Sequence, residues 1–288
     1  MVNKEMNNII PPLDSRKSLR DWTLSILHGY SIRPLKKLSQ NFIVDPRLIK
    51  DILRLIKNKN KQVVEIGAGI GTITLHLALY TYVTAIEYDN RLVRILEDII
   101  LTYNSGLKLV DVVHGDVLKS LKIDHFNGII VSNVPYHIAS YIIILALRSL
   151  AQEIILVLQK ELALRLIARP GTKDYGRLTV ITNYITEPQL LKIYPPTCFY
   201  PRPDVYNALV LLRRKRKWDE KASKIEDITR CLFSEKNKRA IRVIEKCLGE
   251  RIGGKLREYL EKKRIRELEL KDILLLVEVS ERNASNII

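Results

Sequence analysis

Short apolar runs and longer amphipathic stretches alternate along most of the chain. Gln62-Val63-Val64-Glu65-Ile66 has strand length, Thr72 to Leu79 begins a helix, and Val83 to Ile86 is a second strand that ends in Glu87. Asn90 to Tyr103 has helical spacing, Val110 to Val113 is a third strand, and Gly128 to Ser132 is a fourth. Ile138 to Leu150 reads as a buried helix, Glu153 to Leu158 as a fifth strand, and Lys160 to Ala168 and Leu178 to Ile185 as helices, with Asn207 to Leu212 as a last strand. Parallel strands need a crossover of helix length, so this alternation predicts an α/β fold. Beyond it, Ile225–Phe233, Arg239–Leu248, Ile252–Leu260 and Leu268–Val277 all carry helical periodicity. Ahead of it, Leu19, Trp22, Ile26 and Leu27 mark an amphipathic helix in Ser18 to Tyr30, and Asp45-Pro46 caps another that runs to about Lys57. Three segments result: an N-terminal extension over 1–30 whose first 12 residues read as a disordered tail, an α/β domain over 31–212, and a small all-helical domain over 213–288.

Charge adds a partner to this outline. The formal net charge is +16, and residues 213–288 carry 22 Lys and Arg against 14 Asp and Glu, so the tail supplies half of it. A one-sided excess favours an anionic partner such as nucleic acid. Cys198, Cys231 and Cys247 form no Cys-x-x-Cys pair and no histidine stands at metal-ligand spacing beside them. A reduced, cytoplasmic setting without structural zinc is therefore expected. Glu5, Asp14 and Asp21 interrupt the N-terminus, which reads as neither signal peptide nor presequence. The longest apolar stretch, Ile138 to Leu150, falls short of the roughly 20 residues that span a bilayer.

The chemistry gathers at strand ends. Gly67-Ala68-Gly69-Ile70-Gly71 follows the first strand, and Glu87 lies 20 residues beyond Gly67. Strand, glycine turn, helix, strand and acid make a nucleotide-binding half-unit, in which the acid accepts hydrogen bonds from ribose hydroxyls. The dinucleotide fingerprint wants its third glycine where Thr72 stands, so a pyrophosphate seat is disfavoured. A ligand with one nucleoside and no phosphate fits instead, and S-adenosylmethionine is the commonest. Asp116, after the third strand, either accepts the amino hydrogens of that ligand's adenine or caps the short turn Val117 to Leu121. In Asn133-Val134-Pro135-Tyr136, which ends the fourth strand, a proline-stiffened turn offers an amide oxygen, backbone carbonyls and an aromatic face. A flat base with an exocyclic amine needs that set. Arg169 to Arg177 reads as a mobile polar rim over the substrate. Four prolines stiffen the loop around Phe199, which either holds a flipped base opposite Tyr136 or covers the sheet edge.

Together these motifs resemble the rRNA adenine N6,N6-dimethyltransferases, archaeal and eukaryotic branch, from about residue 31 to 250. Ser39-Gln40-Asn41-Phe42-Ile43 is similar to the family's Gly-Gln-His-Phe-Leu, Asn133 to Tyr136 to its Asn-Leu-Pro-Tyr, and Phe199 to Val205 to its Phe-x-Pro-x-Pro-x-Val. Phe233 with Lys236-Asn237-Lys238 resembles a tail motif of that branch. The resemblance implies a Rossmann-like S-adenosylmethionine-dependent methyltransferase sheet with a small helical C-terminal domain. It also implies cofactor contacts at Gln40, Asn41, Ile43, Gly67, Gly69, Glu87, Tyr88, Asp116, Val117 and Asn133. Catalytic contacts follow at Asn133, Pro135, Tyr136 and Phe199, and RNA contacts at Arg177, Lys236, Lys238 and Arg239, with no metal. The implied substrate is a pair of adjacent adenines in a hairpin near the 3′ end of small-subunit rRNA, within a pre-30S-type particle, and the implied enzyme a cytoplasmic monomer. Ser39 and Asn41 depart from the pattern toward the erythromycin-resistance enzymes of large-subunit rRNA, and Tyr206-Asn207 stands where Asp-Ser is common. A non-catalytic assembly factor on the same fold is the other alternative.

Overall fold

The computed structural model describes residues 10–56, 61–102, 107, 109–119, 123–249 and 251–285. In chain order it holds α1 (Arg16–Gly29), β1 (Phe42–Ile43), α2 (Pro46–Ile56), β2 (Val63–Ile66), α3 (Thr74–Leu77), β3 (Val83–Glu87), α4 (Asn90–Thr102), β4 (Val110–His114) and β5 (Ile129–Asn133). There follow α5 (Ala139–Arg148), β6 (Glu153–Gln159), α6 (Lys160–Leu166), α7 (Arg177–Ile185), β7 (Thr186–Tyr194), β8 (Phe199–Tyr200) and β9 (Asn207–Arg214). The tail is helical: α8 (Glu220–Leu232), α9 (Ala240–Leu248), α10 (Gly254–Glu261) and α11 (Leu270–Ser285). The expected tail over 1–9, and the ends of the expected elements at Lys57, Tyr103 and Leu121, lie outside the described residues.

Seven strands form one sheet in the order β4-β3-β2-β5-β6-β9-β7, and β1 pairs with β8 in a separate two-stranded ladder. From β4 to β6 every pair is parallel, with Val63 opposite both Val83 and Ile129. The chain winds outward from β2 through β3 to β4, then returns to the other side of β2 as β5. That reversal makes the β2–β5 boundary the crevice where such sheets bind ligands. Because both faces are covered, β2 and β5 are buried almost throughout, which accounts for their continuous apolar runs. Three strands were not foreseen. β7 is interrupted by Pro188 and leaves Leu191 and Ile193 exposed, so it lacks clean alternation. β1 and β8 have two residues each, too few to show a period.

The chain divides into two compact units, one of Met1–Lys160 with Leu190–Leu212, the other of Glu161–Gln189 with Arg213–Ile288. This corrects the expected boundary, since 161–189 belongs with the tail. Within the second unit α7 packs on α8, and Tyr175 meets Phe233 edge-on at 5.7 Å and donates its hydroxyl to the Leu268 carbonyl. The stretch expected as a free rim is tied there too, by Gly171 N–H donating to Arg266 at 2.7 Å. The thiols also depart from expectation: Cys231 in α8 and Cys247 in α9 form a disulfide, with Cα atoms 5.9 Å apart. Helix packing creates that pair across 16 residues, a separation that carries no local motif. Cys198 alone is free. Among the described residues no helix is long and apolar enough to cross a membrane.

In the first unit, α1 is held by Leu19, Trp22, Ile26 and Leu27 in the core and by one buried carboxylate. Asp45 accepts from Arg16 at 2.6 Å, from Arg47 at 2.7 Å and from the Cys198 thiol at 3.2 Å. Burial alone would raise the Asp45 pKa, but the two guanidinium groups outweigh it and hold the carboxyl well below its usual range. A lowered folded pKa stabilises the fold above the unfolded carboxylate pKa, and that contribution is lost as pH falls below it. Asp45→Ala is expected to lower the unfolding free energy by about 2–4 kcal/mol near neutral pH, with the difference shrinking below about pH 4, as read by urea titration.

Candidate active site

At the carboxyl ends of β2, β3, β4 and β5 the chain leaves the sheet as the glycine turn, Glu87, Asp116 and the Asn133 turn. These, with residues 38–43, line one cavity of about 300 Å³. Gln40, Asn41, Ile43, Gly67, Gly69, Glu87, Tyr88, Asp116, Val117, Asn133, Pro135 and Tyr136 all face it. The lining also contains Glu65 and no lysine or arginine, although the chain carries a net +16. Glu87 and Asp116, with no cation beside them, do not suit a phosphate. They do suit a nucleoside that carries positive charge, which S-adenosylmethionine does on its sulfonium and ammonium groups.

Glu87 organises the floor. Its Oε2 accepts Gly69 N–H at 2.8 Å, and its Oε1 accepts the N–H groups of Tyr88 at 2.9 Å and Asp89 at 2.8 Å. Burial raises its pKa, and the three N–H donors only partly offset that. The glycines differ in purpose. Gly69 has φ +60°, in the region where side chains are strained. At Gly71 a Cβ would lie 2.5 Å from Leu96 Cδ1 of α4, so this glycine lets the turn pack on that helix. Asp116 caps its turn by accepting Leu118 N–H at 2.9 Å while it lines the cavity, which joins the two alternatives open for it.

The segment before β1 is pinned over this floor. Gln40 donates to Asp89 at 2.7 Å and accepts Leu35 N–H at 2.7 Å. Ser39 sits at φ +51°, a conformation that glycine adopts without strain, and its hydroxyl is 3.2 Å from His137 Nδ1. Asn41 Nδ2 donates to the Ser39 carbonyl, and the Asn41 carbonyl accepts Asn133 Nδ2 at 2.7 Å. That last bond orients the Asn133 amide. With Nδ2 committed, Oδ1 remains as the acceptor. Around it, Val134 N–H donates to the Val157 carbonyl and the Pro135 carbonyl accepts Ile138 N–H at 3.2 Å. Among the described residues the Val134 carbonyl has no donor. The turn therefore offers two acceptors, Asn133 Oδ1 and the Val134 oxygen. Tyr136 stands beside them, its hydroxyl donating to Asn207 Oδ1 at 3.0 Å.

Two expectations are corrected here. Phe199 is 3% exposed, pairs with Ile43 across the β1–β8 ladder and lies in the core rather than at the cavity wall, because the proline-rich loop lays it down as a strand. Arg177 is committed to the buried Glu226 at 2.9 Å within the second unit. Of the other expected RNA contacts, Lys236 Nζ donates to the Lys173 carbonyl, Arg239 to that of Lys262, and Lys238 is exposed. Residues 236–240 run against 263–266 through Ile265 N–H to Lys238, Arg266 N–H to Lys236 and Ala240 N–H to Lys263. This gathers cations from two segments. Two residues fall outside the expected contacts: Asn207, whose only signal was its departure from the family pattern, and Glu65, an acid inside an apolar strand that begins the stretch resembling the ligand loop.

Glu65 accepts Thr74 Oγ1 at 2.6 Å, and burial, with Glu87 adding repulsion, pushes its pKa up to about 8. The folded state thus holds a proton that the unfolded chain releases above the usual carboxyl range, and stability contributed by this group is lost as pH rises toward 8. Glu65→Gln keeps an acceptor for Thr74 and cannot ionise. The variant's thermal midpoint relative to wild type is expected to be several degrees higher at pH 9 than at pH 6, a relative gain of about 2 kcal/mol or more.

Residues 33–281 match the family described as ribosomal RNA adenine dimethylase. The chain is 35% identical over 267 residues to a protein of Methanothermobacter thermautotrophicus named as a probable ribosomal RNA small subunit methyltransferase A, covering 89% of this chain and 94% of that one. It is 34% identical to ribosomal RNA small subunit methyltransferase A of Lysinibacillus sphaericus, covering 75% and 78%. A dimethyladenosine transferase from Plasmodium falciparum shares the fold at TM-score 0.70 and 23% identity, covering 84% and 98%. The match of so much of the chain, joined to a cavity suited to a cationic nucleoside, places it in the ribosomal RNA adenine dimethylase family, whose methyl donor is S-adenosylmethionine.

Proposed function

We propose that this chain dimethylates N6 of two adjacent adenines in a hairpin near the 3′ end of small-subunit rRNA, as a step of ribosome biogenesis. The observation that carries the reading is the Asn133 amide, held by the Asn41 carbonyl so that its oxygen is left to accept an amine hydrogen. The names of its relatives and the basic tail support the choice of the small subunit.

S-adenosylmethionine, when bound, supplies an electrophilic methyl group. Glu87 would accept from its ribose hydroxyls and Asp116 from its adenine amine. The target N6 is a poor nucleophile because its lone pair is delocalised into the ring. Asn133 Oδ1 and the Val134 carbonyl each accept one N6 hydrogen, which favours the localised, tetrahedral nitrogen reached in the transition state. Tyr136 stacks on the flipped base and fixes its angle of approach. Once N6 has taken one methyl group and given up one proton to solvent a single N–H remains, so the second transfer uses one acceptor rather than two.

Purified small and large subunits, incubated with labelled cofactor and read by primer extension, separate the substrates. Stops at adjacent adenines of small-subunit rRNA are expected; stops confined to the large subunit would favour the erythromycin-resistance chemistry toward which Ser39 and Asn41 lean. Asn133→Ala is expected to bind S-adenosylmethionine within about threefold of wild type by calorimetry and to lose ~100-fold or more in transfer rate. Transfer that survives this change would contradict the role of the amide.

A further inference from the structure

The turn that holds the target base is buttressed by the dipeptide Tyr206-Asn207, and the two residues face opposite ways. Asn207 is buried and takes the Tyr136 hydroxyl at 3.0 Å. Tyr206, its neighbour, is 52% exposed. The Tyr206 carbonyl accepts Lys160 N–H at 2.9 Å, and the Lys160 ammonium lies 5.8 Å from the Tyr206 ring centroid. Lys160 directly follows β6, whose Val157 is paired with Asn133 in register. An exposed aromatic face and a cation are thereby fixed at the same end of the sheet as the amine-accepting turn, linked to Tyr136 through a single residue. Among the described residues Lys160 has no carboxylate partner. Tyr206 is an uncharged ring, which sets no repulsion against RNA phosphate and supplies a stacking surface.

We propose that Tyr206 and Lys160 form a subsite for the nucleotide next to the target adenine, with the tyrosine stacking on its base and the lysine pairing with its phosphate. The inference rests on the proposed function in one respect, that a flipped adenine occupies the place beside Tyr136. Flipping one nucleotide leaves its neighbour without a stacking partner, and an aromatic ring replaces that partner whatever the base. The lysine meets the backbone, which carries no sequence information but sets the register. A subsite of this kind holds the second adenine of an adjacent pair while the first is modified.

The test uses the full chain and purified small subunits. Tyr206→Ala is expected to raise the KM for subunits roughly tenfold with most of the loss in KM rather than kcat, as the removal of one base stack implies, whereas Tyr206→Phe stays within about twofold of wild type. Lys160→Gln is expected to reduce the slope of log affinity against log salt by about 1. S-adenosylmethionine binding by calorimetry reports whether each variant keeps its fold. With p-benzoylphenylalanine at position 206, irradiation is expected to crosslink the nucleotide adjacent to a methylated adenine. Unchanged constants in Tyr206→Ala, an equal loss in Tyr206→Phe, or a crosslink several nucleotides away would each overturn the subsite. Subunits left unmethylated by wild type would instead overturn the functional reading, and the crosslink to whichever RNA is methylated would then decide the subsite.

Discussion

The hydrogen bond from Asn133 Nδ2 to the Asn41 carbonyl joins two segments 92 residues apart, and the proposed chemistry of the site depends on it. A free asparagine amide presents a donor and an acceptor with little preference between them, and a site that must accept two hydrogens from an amine cannot tolerate that ambiguity. Here the ambiguity is removed by a backbone oxygen, so the chemistry at the end of β5 is set by the conformation of a loop that precedes β1. The loop is fixed in turn by Gln40 donating to the Asp89 carboxylate, and Asp89 donates its own N–H to Glu87 at 2.8 Å. Cofactor acid, loop and amide therefore form one connected network.

Electrostatics sort the ligands. The chain is strongly basic overall, yet the cavity is lined by Glu87 and Asp116 and by no lysine or arginine. A cationic nucleoside is attracted into the cavity, while polyanionic RNA is drawn to the cations outside it. The two substrates of a methyl transfer are thus steered to different places on one chain by charge alone.

Much of the site was legible in the sequence because its parts are consecutive residues at strand ends: the glycine turn, Glu87, Asp116 and Asn133 to Tyr136 each carry their own local pattern. Strand length and apolar continuity announced the parallel sheet in the same way. What was hidden depends on tertiary partners. Phe199 looks like a base-stacking aromatic until its ladder with Ile43 shows it committed to the core. Arg177 looks like a phosphate contact until Glu226, 49 residues later, claims it. Cys231 and Cys247 have no motif because packing of α8 and α9, not spacing, brings them together. The unit boundary fell at the charge run beginning at Arg213 in the sequence, but α7 packs against α8, so 161–189 belongs with the tail.

The central claim is that the two acceptors of this turn select an exocyclic amine and present it for methylation. The measurement that tests it most directly is mass spectrometry of nucleosides released from small-subunit rRNA after reaction with the chain and S-adenosylmethionine. N6,N6-dimethyladenosine, appearing after a transient N6-methyladenosine, is the result the account predicts. Methyl groups found on a ring nitrogen, a ring carbon, a ribose oxygen or a base other than adenine would contradict it.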